Sequence, residues 1–277
     1  MNSASKSPLP RRTRQQDTEA NPNASFYESI AGIYDLLYED VDADEAHRQW
    51  SLLVRRCTGL PRPCQAQIPR LLDVGCGTGR YLVPWARAGF LVTGIDASKR
   101  MIARAEARRK ESGWASRIRL VCGDVRRRNP RLDKHGPFAV AVAHFNFLNL
   151  FAPRELEDVL SSLRGCMERG GRLFADVAPP SLLPEGGRER LALGGMTVEV
   201  EISPDRASGV VTKRYRLGGE WTEERYWLHS TATLRRAAKA AGWQLESVHG
   251  WHPDCPADPW GPGRKGRGHR VYVFRAL

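Results

Sequence analysis

Short apolar runs alternate with amphipathic stretches through the middle of the chain. Apolar runs bounded by Gly, Pro or Asp are typical of buried strands, whereas apolar residues three and four positions apart are typical of helices. The pattern predicts strands at 70–74, 91–95, 118–122, 138–143 and 171–177. Helices are predicted between them at 79–88, 98–111 and 153–168, with Ser98 as a helix N-cap.

This alternation predicts an α/β fold with a Rossmann-like, doubly wound sheet, because strands joined through helices run parallel and are covered on both faces. After Ala178 the pattern changes. Strands at 196–202, 210–217 and 220–229 follow one another through Gly-containing turns and predict an antiparallel addition within about 190–230. A helix at 231–241 and strands at 244–251 and 270–275 follow, and the two strands predict a reversed hairpin at the sheet edge.

The N-terminal quarter of the chain has a different character. Residues 1–24 mix Ser, Pro, Arg, Gln and Asn without periodicity, which predicts a disordered basic tail. From Phe26 to Tyr38 apolar residues recur at helical spacing, and a second helix is predicted at 44–56, before a Pro-rich linker. The sequence therefore predicts three parts: a tail at 1–24, a helical lid and linker at 25–69, and a main domain at 70–277.

Composition narrows the class of protein. With 277 residues, 41% of them hydrophobic, the chain is long enough for one large domain with a real core. It has no apolar run of membrane-spanning length, and its start lacks the apolar stretch of a secretory signal. The six cysteines form no CxxC pair. These features predict a cytoplasmic protein with reduced thiols, no metal and no membrane association.

A glycine motif stands between the first predicted strand and the first helix. Residues 71–80 read LLDVGCGTGR, in which Gly75, Gly77 and Gly79 give the spacing GxGxG. The dinucleotide fingerprint GxGxxG needs glycine where this chain has Arg80, and no GK[ST] follows for a phosphate-binding P-loop. Ligands of open α/β sheets bind at the carboxyl ends of the strands, where this motif lies. Because the motif matches neither of these two fingerprints, we expect a ligand without a phosphate here.

Acidic residues at three strand ends sharpen this expectation. Asp73 would repel a pyrophosphate but suits a ligand with an ammonium group, such as S-adenosylmethionine (SAM), which has no phosphate. Asp96 ends the second strand, where a carboxylate accepts hydrogen bonds from both ribose hydroxyls. At the third strand end, Asp124 is placed to accept from an adenine amino group. The backbone N–H of the next residue, Val125, is predicted to meet an adenine ring nitrogen.

From about Phe26 to Arg275 the chain resembles the small-molecule branch of class I SAM-dependent methyltransferases, which includes sugar and amine N-methyltransferases. The glycine motif, Asp96 and Gly123-Asp124 match that family at the expected strand ends. Residues 26–35, FYESIAGIYD, resemble its lead-in helix. Residues 144–149, HFNFLN, resemble its FDSLN stretch, with Asn146 where an acid is common. The resemblance implies a seven-stranded sheet with a reversed final hairpin.

Together the motif and the resemblance predict a cofactor site for SAM and no metal. The predicted cofactor-binding residues are Tyr34, Asp73, Gly75, Cys76, Gly77, Gly79, Asp96, Ala97, Met101, Gly123, Asp124, Val125 and His144.

Methyl transfer is an in-line displacement, so the protein must hold an acceptor lone pair about 3 Å from the methyl group. An amine must arrive unprotonated and a hydroxyl needs a base. His144, at the end of the fourth strand, is the predicted catalytic base, with simple packing of its ring as the alternative. Further candidates are His229 and His252 as bases, Tyr27 with Tyr34 over the methionine end of SAM, and Trp221, Trp227, Trp251 and Trp260 as an acceptor pocket.

The predicted function is transfer of a methyl group from SAM to a nitrogen or oxygen of a small molecule. An RNA methyltransferase is the main alternative, because the net charge is +12, although residues 144–147 lack the acid-or-Asn-Pro-Pro-aromatic motif of amino-methylating nucleic-acid enzymes. A non-catalytic SAM-binding protein and, at the margin, a dehydrogenase also stay open. The sequence does not predict an oligomeric state.

Overall fold

The computed structural model describes residues 22–38, 43–59, 68–250 and 268–277. Its helices are α1 (Pro22–Ile30), α2 (Tyr34–Leu37), α3 (Ala43–Thr58), α4 (Leu82–Arg87), α5 (Lys99–Glu111), α6 (Pro130–Asp133), α7 (Leu156–Gly165) and α8 (Thr231–Ala240). Its strands are β1 (Arg70–Val74), β2 (Leu91–Asp96), β3 (Ile118–Cys122), β4 (Phe138–Ala143), β5 (Met167–Val177), β6 (Gly187–Leu193), β7 (Met196–Asp205), β8 (Val210–Leu217), β9 (Glu220–Trp227), β10 (Trp243–Gly250) and β11 (Arg270–Ala276). Single 3₁₀ turns lie at 115–117, 147–150 and 180–182.

Seven strands form one twisted sheet in the order β10-β11-β5-β4-β1-β2-β3. Strands β1 to β5 pair in parallel, and β11 pairs antiparallel with both β5 and β10. The predicted doubly wound sheet with its reversed final hairpin is therefore confirmed. The strand order reverses beside β1, which lies between β4 and β2, and open α/β folds bind their ligands at the carboxyl ends of the strands at such a point.

The core lies in two layers, one on each face of this sheet. One layer packs α7 and α8 through residues such as Leu160 and Leu234, and the other packs α3 and α4 through Trp50 and Trp85. The inner strands are buried from both sides, which is why they have continuous apolar runs and no polar alternation.

Several predicted boundaries are wrong in detail. The single helix expected from Phe26 to Tyr38 is two helices, α1 and α2, separated by a turn at 31–33 that contains Gly32, a poor helix former. Helix α1 begins at Pro22, inside the stretch predicted to be disordered. Helix α7 is shorter than the predicted 153–168, because β5 begins at Met167 and not at Gly171. The short helix α6 was not predicted.

A second, antiparallel sheet contains β6, β7, β8 and β9 in that order. The prediction of three strands missed β6, an edge strand whose sequence GRERLAL places three consecutive charged residues before its apolar ones and buries no side chain fully. Helix α1 covers this sheet, and Phe26 and Ile30 pack with Val198, Val200 and Tyr215. The antiparallel sheet and the N-terminal helices thus form a layer over the carboxyl ends of the main strands.

Some predictions fall outside the described residues. These are the tail up to residue 21, part of the linker, and the long loop before β11 with His252, Trp251 and Trp260. Within the described part, every helix is too short or too polar to cross a membrane.

Candidate functional site

The carboxyl ends of β1, β2, β3 and β4 open into one cleft of about 720 Å³, mouth included. Its walls come from the glycine motif, from the first residues after β2, β3 and β4, and from α1 and α2. The lining residues are Asn23, Ala24, Tyr27, Tyr34, Gly75, Gly77, Ile95, Asp96, Ala97, Ser98, Gly123, Asp124, Val125, His144, Phe145, Phe147, Leu150 and Phe151. Most residues predicted from the sequence to bind a cofactor therefore meet in one place.

The glycine motif owes its shape to left-handed backbone. Gly75 and Gly77 have φ of +68° and +53°, a region that L-residues with side chains seldom adopt. A Cβ on Gly75 would lie 2.3 Å from the ring of Phe147, so the turn after β4 packs directly on the backbone of the motif. A Cβ on Gly77 would stand 3.7 Å from the ring of Tyr34. The positive φ favours glycine at both positions, and the approach of Phe147 requires it at Gly75, whereas a Cβ on Gly77 would make only an ordinary contact with Tyr34.

Asp96 joins the glycine motif to the start of α5. One carboxylate oxygen accepts a hydrogen bond from the Gly77 backbone N–H at 2.9 Å, and the other accepts from Ser98 N–H at 2.9 Å. Asp96 lines the cleft, and each of its carboxylate oxygens has a second lone pair that can accept a hydrogen bond from a ligand. Burial raises the pKa of Asp96, although the two backbone donors oppose this shift. The carboxylate is thus fixed in orientation before any ligand arrives.

Asp73 lies behind the motif and not in the cleft wall. It is only 2% exposed, and no described residue donates a hydrogen bond to its carboxyl group or forms an ion pair with it. Burial, and next the nearby Asp96, raise the pKa of Asp73 to about 7. A buried carboxyl group without a cation is costly, and a positively charged ligand beside it would relieve that cost.

Asp124 is engaged differently from the prediction. One of its oxygens accepts from the backbone N–H of Arg126 at 2.9 Å, and the other pairs with the Arg126 guanidinium at 2.7 Å. Arg126 also reaches Glu155 at 3.0 Å. Gly123 and Val125 line the cleft on either side, so the backbone at this strand end is available to a ligand while the Asp124 side chain is already paired.

Three further residues that were predicted to bind the cofactor contribute to packing and do not line the cleft. Met101 is fully buried with Phe26 and Ile30, where it joins α5 to the lid helix α1. Gly79 allows close packing, because a Cβ there would be 2.9 Å from Leu82. Cys76 is buried beneath the motif, and burial raises the pKa of its thiol well above the usual range.

The lid helices are tied to the motif by contacts that the sequence analysis missed. Asp35 accepts a hydrogen bond from the Thr78 hydroxyl at 2.6 Å, and Glu28 accepts one from the Ser98 hydroxyl. Ser98 also caps α5, as predicted, by accepting from Met101 N–H at 3.1 Å. The resemblance of residues 26–35 to a lead-in helix was the available signal, but no spacing rule pairs Glu28 with Ser98.

Asn23 fastens α1 to two other elements. Its side-chain amide donates to the carbonyls of Leu150, at 3.1 Å, and Arg225, at 3.0 Å. Its oxygen accepts from the Arg225 backbone N–H at 2.8 Å. Because Asn23 also lines the cleft, the lid, the antiparallel sheet and the turn after β4 meet at this residue.

His144 lies in a stack of aromatic rings. Its imidazole is nearly parallel to Tyr81 at 4.4 Å between ring centroids and edge-on to Trp50 at 4.3 Å. Its Nε2 accepts a hydrogen bond from the Trp85 indole at 3.4 Å. Burial, together with His47, lowers the pKa of His144 to about 3. The residue lines the cleft as expected, but its Nε2 already accepts from Trp85 and its pKa is low, which favours the alternative of ring packing over the predicted role as base.

His229 and the two described tryptophans of the predicted acceptor pocket do not line the cleft. His229 Nε2 lies 3.1 Å from the carbonyls of Leu148 and Phe151 and so holds the turn after β4 against the end of β9. Burial lowers its pKa to about 4. Trp221 is 39% exposed under the Arg214 guanidinium, and neither it nor Trp227 lines the cleft.

The charge of the cleft is negative. Its lining includes Asp96 and Asp124, of which Asp124 is paired with Arg126, and Asp73 lies just behind; the described lining residues include no lysine or arginine. Its remaining walls are largely aromatic and aliphatic, with Phe145, Phe147 and Phe151 on one side. Such a cleft favours a cationic ligand with an apolar body and disfavours a phosphate.

Comparison with known proteins agrees with this geometry. The sequence profile of a family described as a methyltransferase domain matches residues 71–171. A protein from Geobacillus sp. (strain WCH70), named as a methyltransferase, is 42% identical over 152 residues, which span 54% of this chain and only 57% of that relative. The cypemycin N-terminal methyltransferase of Streptomyces sp is 28% identical over 199 residues, 67% of this chain and 77% of that protein.

A solved structure shows the same fold over almost the whole molecule. The S-adenosylmethionine-dependent methyltransferase from Clostridium acetobutylicum ATCC 824 superposes with a TM-score of 0.68 at 17% identity, covering 91% of this chain and 99% of that one. At this identity the likeness is one of fold.

Proposed function

We propose that the chain transfers a methyl group from SAM to a nitrogen or oxygen of a small molecule, since residues 71–171 match a methyltransferase-domain family and the fold is that of a solved SAM-dependent methyltransferase. The observation that carries the proposal is the charge of the cleft. A buried, unpaired Asp73 lies behind a glycine motif whose surroundings contain acids and no cation among the described lining residues. This environment suits an ammonium or sulfonium and repels a pyrophosphate.

The residues present fit SAM in distinct parts. Asp96, already oriented by Gly77 and Ser98, would accept the ribose hydroxyls. The backbone at Gly123 and Val125 would meet the adenine, and Tyr34 would cover the methionine end beside Gly77. SAM supplies a methyl carbon activated by positive sulfur, so the protein needs no covalent nucleophile of its own.

The work left to the chain is positioning and exclusion of water. Asn23 and Glu28 hold α1 over the cleft, and the aromatic side chains of Phe145, Phe147 and Phe151 form an apolar wall. Tyr27 is a polar lining group of the lid, and its hydroxyl is bound to the buried Glu224. We propose that the acceptor binds between this wall and Tyr27.

A small acceptor accounts better for the cleft than RNA does. RNA binding needs cations along the path of the phosphates, and the described lining of the cleft has none. The cypemycin enzyme is named for methylation at an N-terminus, which supports an amine-bearing acceptor but does not identify one.

Labelled-methyl transfer from SAM into a small-metabolite extract, with RNA in a parallel reaction, tests the proposal. Label in a small molecule is the expected result, together with SAM binding by calorimetry. Label only in RNA would replace the proposal by the RNA alternative. SAM binding without any methyl transfer would favour the binding-only alternative, and uptake of a nicotinamide dinucleotide in place of SAM would remove the proposal altogether.

A further inference from the structure

A second cleft lies at the opposite edge of the main sheet. It has about 530 Å³ of open space, mouth included, and lies at the amino ends of β1, β2 and β3 and beside the end of α6. Arg70 begins β1 in this cleft, whereas Gly75 follows β1 in the cofactor cleft. At about 3.3 Å per residue the two sites are roughly 16 Å apart along the strand. A ligand in the second cleft therefore does not occupy the cofactor cleft.

The second cleft is strongly basic. Arg70, Arg117, Arg119 and Lys134 line it together with His135, and the lining includes no aspartate or glutamate among the described residues. None of the four cations forms an ion pair with a carboxylate of the described residues. Some surface arginines elsewhere are paired, for example Arg188 with Glu201 at 3.0 Å and Arg190 with Glu199 at 3.4 Å. The positive charge of this concave surface is thus left without a counter-charge from the described part of the protein.

Two of the guanidinium groups are held in place by backbone carbonyls. Arg70 Nη1 donates to the carbonyls of His135, at 3.0 Å, and Gly136. Arg119 Nη1 donates to the carbonyls of Ser116 and Ile118, each at 3.1 Å. In both cases the other guanidinium nitrogens stay available, so the donors are oriented in advance, which favours bidentate binding of an oxyanion.

Thr93 adds a polar group at the base of the cleft. It lies on β2, is 3% exposed and lines the cleft, and its hydroxyl has no hydrogen-bond partner among the described residues. The positive environment is also felt by His135, since burial and then Arg119, Arg70 and Lys134 lower its pKa.

We propose that this cleft binds a diphosphate group, either free or as part of a nucleotide, through Arg70, Arg119, Arg117 and Lys134. Oriented guanidinium donors match phosphate oxygens, and two linked phosphates neutralise several unpaired cations at once. This site is separate from the methyl-transfer site and does not depend on the proposed function.

Calorimetric titration of the full chain with inorganic diphosphate, at low and at physiological salt, tests the proposal. We expect saturable binding at one site that weakens about tenfold or more in Arg70→Gln/Arg119→Gln, a change of roughly 1.4 kcal/mol for each factor of ten. The matched control, Arg188→Gln/Arg190→Gln, removes the same charge from β6 and should change the affinity less than about twofold. SAM binding and the melting temperature report whether each variant is folded.

A second double substitution keeps the test informative if the first variant does not fold, because Arg70 and Arg119 hold backbone carbonyls in place. Arg117→Gln/Lys134→Gln removes a half-buried arginine and an exposed lysine, and it should also weaken diphosphate binding. ADP as the titrant distinguishes a nucleotide from free diphosphate. Absence of saturable binding by the wild-type chain, or equal weakening in the β6 control, overturns the proposal. Binding of an RNA oligonucleotide by a chain that does not bind diphosphate would overturn the small-ligand site. If both bind without competition, the RNA lies on another surface and the diphosphate site stands.

Discussion

The hydroxyl of Tyr27 donates a hydrogen bond to the side chain of Glu224, which lies 197 residues away in the sequence. Tyr27 lines the cofactor cleft from α1, and Glu224 is buried in β9, where Lys213 of β8 is its direct neighbour in the strand register. Burial raises the pKa of Glu224, and the hydrogen bonds from Tyr226 and Tyr27 oppose this shift. The lid helix is thereby coupled to a charged group inside the antiparallel sheet.

Removal of the Tyr27 hydroxyl should impair turnover more than cofactor binding. In Tyr27→Phe the ring stays, but its hydrogen bond to a charged group is lost, which is worth roughly 1.5–3 kcal/mol. We expect kcat for methyl transfer to fall about tenfold or more, with the SAM dissociation constant changed less than about twofold. Steady-state kinetics and calorimetry measure the two quantities.

Tyr226→Phe is the matched control for that variant. Tyr226 also binds Glu224 but does not line the cleft. It should lower the melting temperature without a comparable loss of kcat. Equal losses of kcat in the two variants would show that Tyr27 matters only through the stability of the lid.

The main sheet and the position of the cofactor cleft were predictable because their signals are local. Strands such as β1 and β4 are buried on both faces, so their apolar runs identify them, and a glycine motif after the first strand marks the ligand edge. The paired state of Asp124 was not predictable in the same way, because it depends on the rotamer of Arg126.

The lid contacts were beyond sequence reasoning for a physical reason. Asn23 and Glu28 bind partners 70 to 202 residues away, which only docking of α1 between two sheets brings together. Likewise β6 is an edge strand whose first half is charged and whose positions are only exposed or half-buried, so it lacks the hydrophobic pattern of a core strand. The aromatic stack around His144 joins three separate elements, and no motif signals it.

Asp96→Asn should weaken SAM binding by about 1–3 kcal/mol, because it removes the charge from a carboxylate placed to accept hydrogen bonds. The amide keeps one oxygen acceptor, so part of the link between Gly77 and Ser98 survives. Asp124→Asn is the comparison, with a smaller expected loss, since both Asp124 oxygens are already engaged by Arg126. Unchanged affinity in Asp96→Asn would mean that Asp96 shapes the loop but does not hold the ribose.

Gly77→Val should abolish SAM binding in a folded protein. A side chain at φ +53° costs about 1–2 kcal/mol, and its branches would enter the cleft beside Tyr34. Gly113→Val is the control, because Gly113 has φ +72° and a Cβ there would meet no atom within 4 Å. Both variants should melt at lower temperature, and only the first should lose calorimetric binding. A Gly77→Val protein with wild-type affinity would contradict the site.

The stability of the ligand-free protein should carry a pH signature of Asp73. Its pKa is raised from the ordinary 3.8 to about 7, so its contribution to stability is full below pH 3.8 and is lost as the pH rises through about 7. The full effect is roughly 4 kcal/mol. The lowered pKa values of His144 and His229 act in the opposite direction, so the quantity to compare is the difference in unfolding free energy between wild type and Asp73→Asn. That difference should shrink or reverse in favour of Asp73→Asn between pH 4 and pH 8, and a pH-independent difference would contradict the raised pKa.

His144→Phe separates packing from proton transfer at the cleft. A general base typically contributes a hundredfold or more to the rate, whereas a packed ring contributes chiefly to stability. Because the pKa of His144 is about 3 and its Nε2 accepts from Trp85, we expect kcat to change less than about tenfold. The Trp85 indole loses its acceptor, which should cost about 1–3 kcal/mol of stability and lower the melting temperature. A hundredfold loss of kcat in a variant that still binds SAM, together with loss of an inflection in the pH–rate profile, would restore His144 as the base.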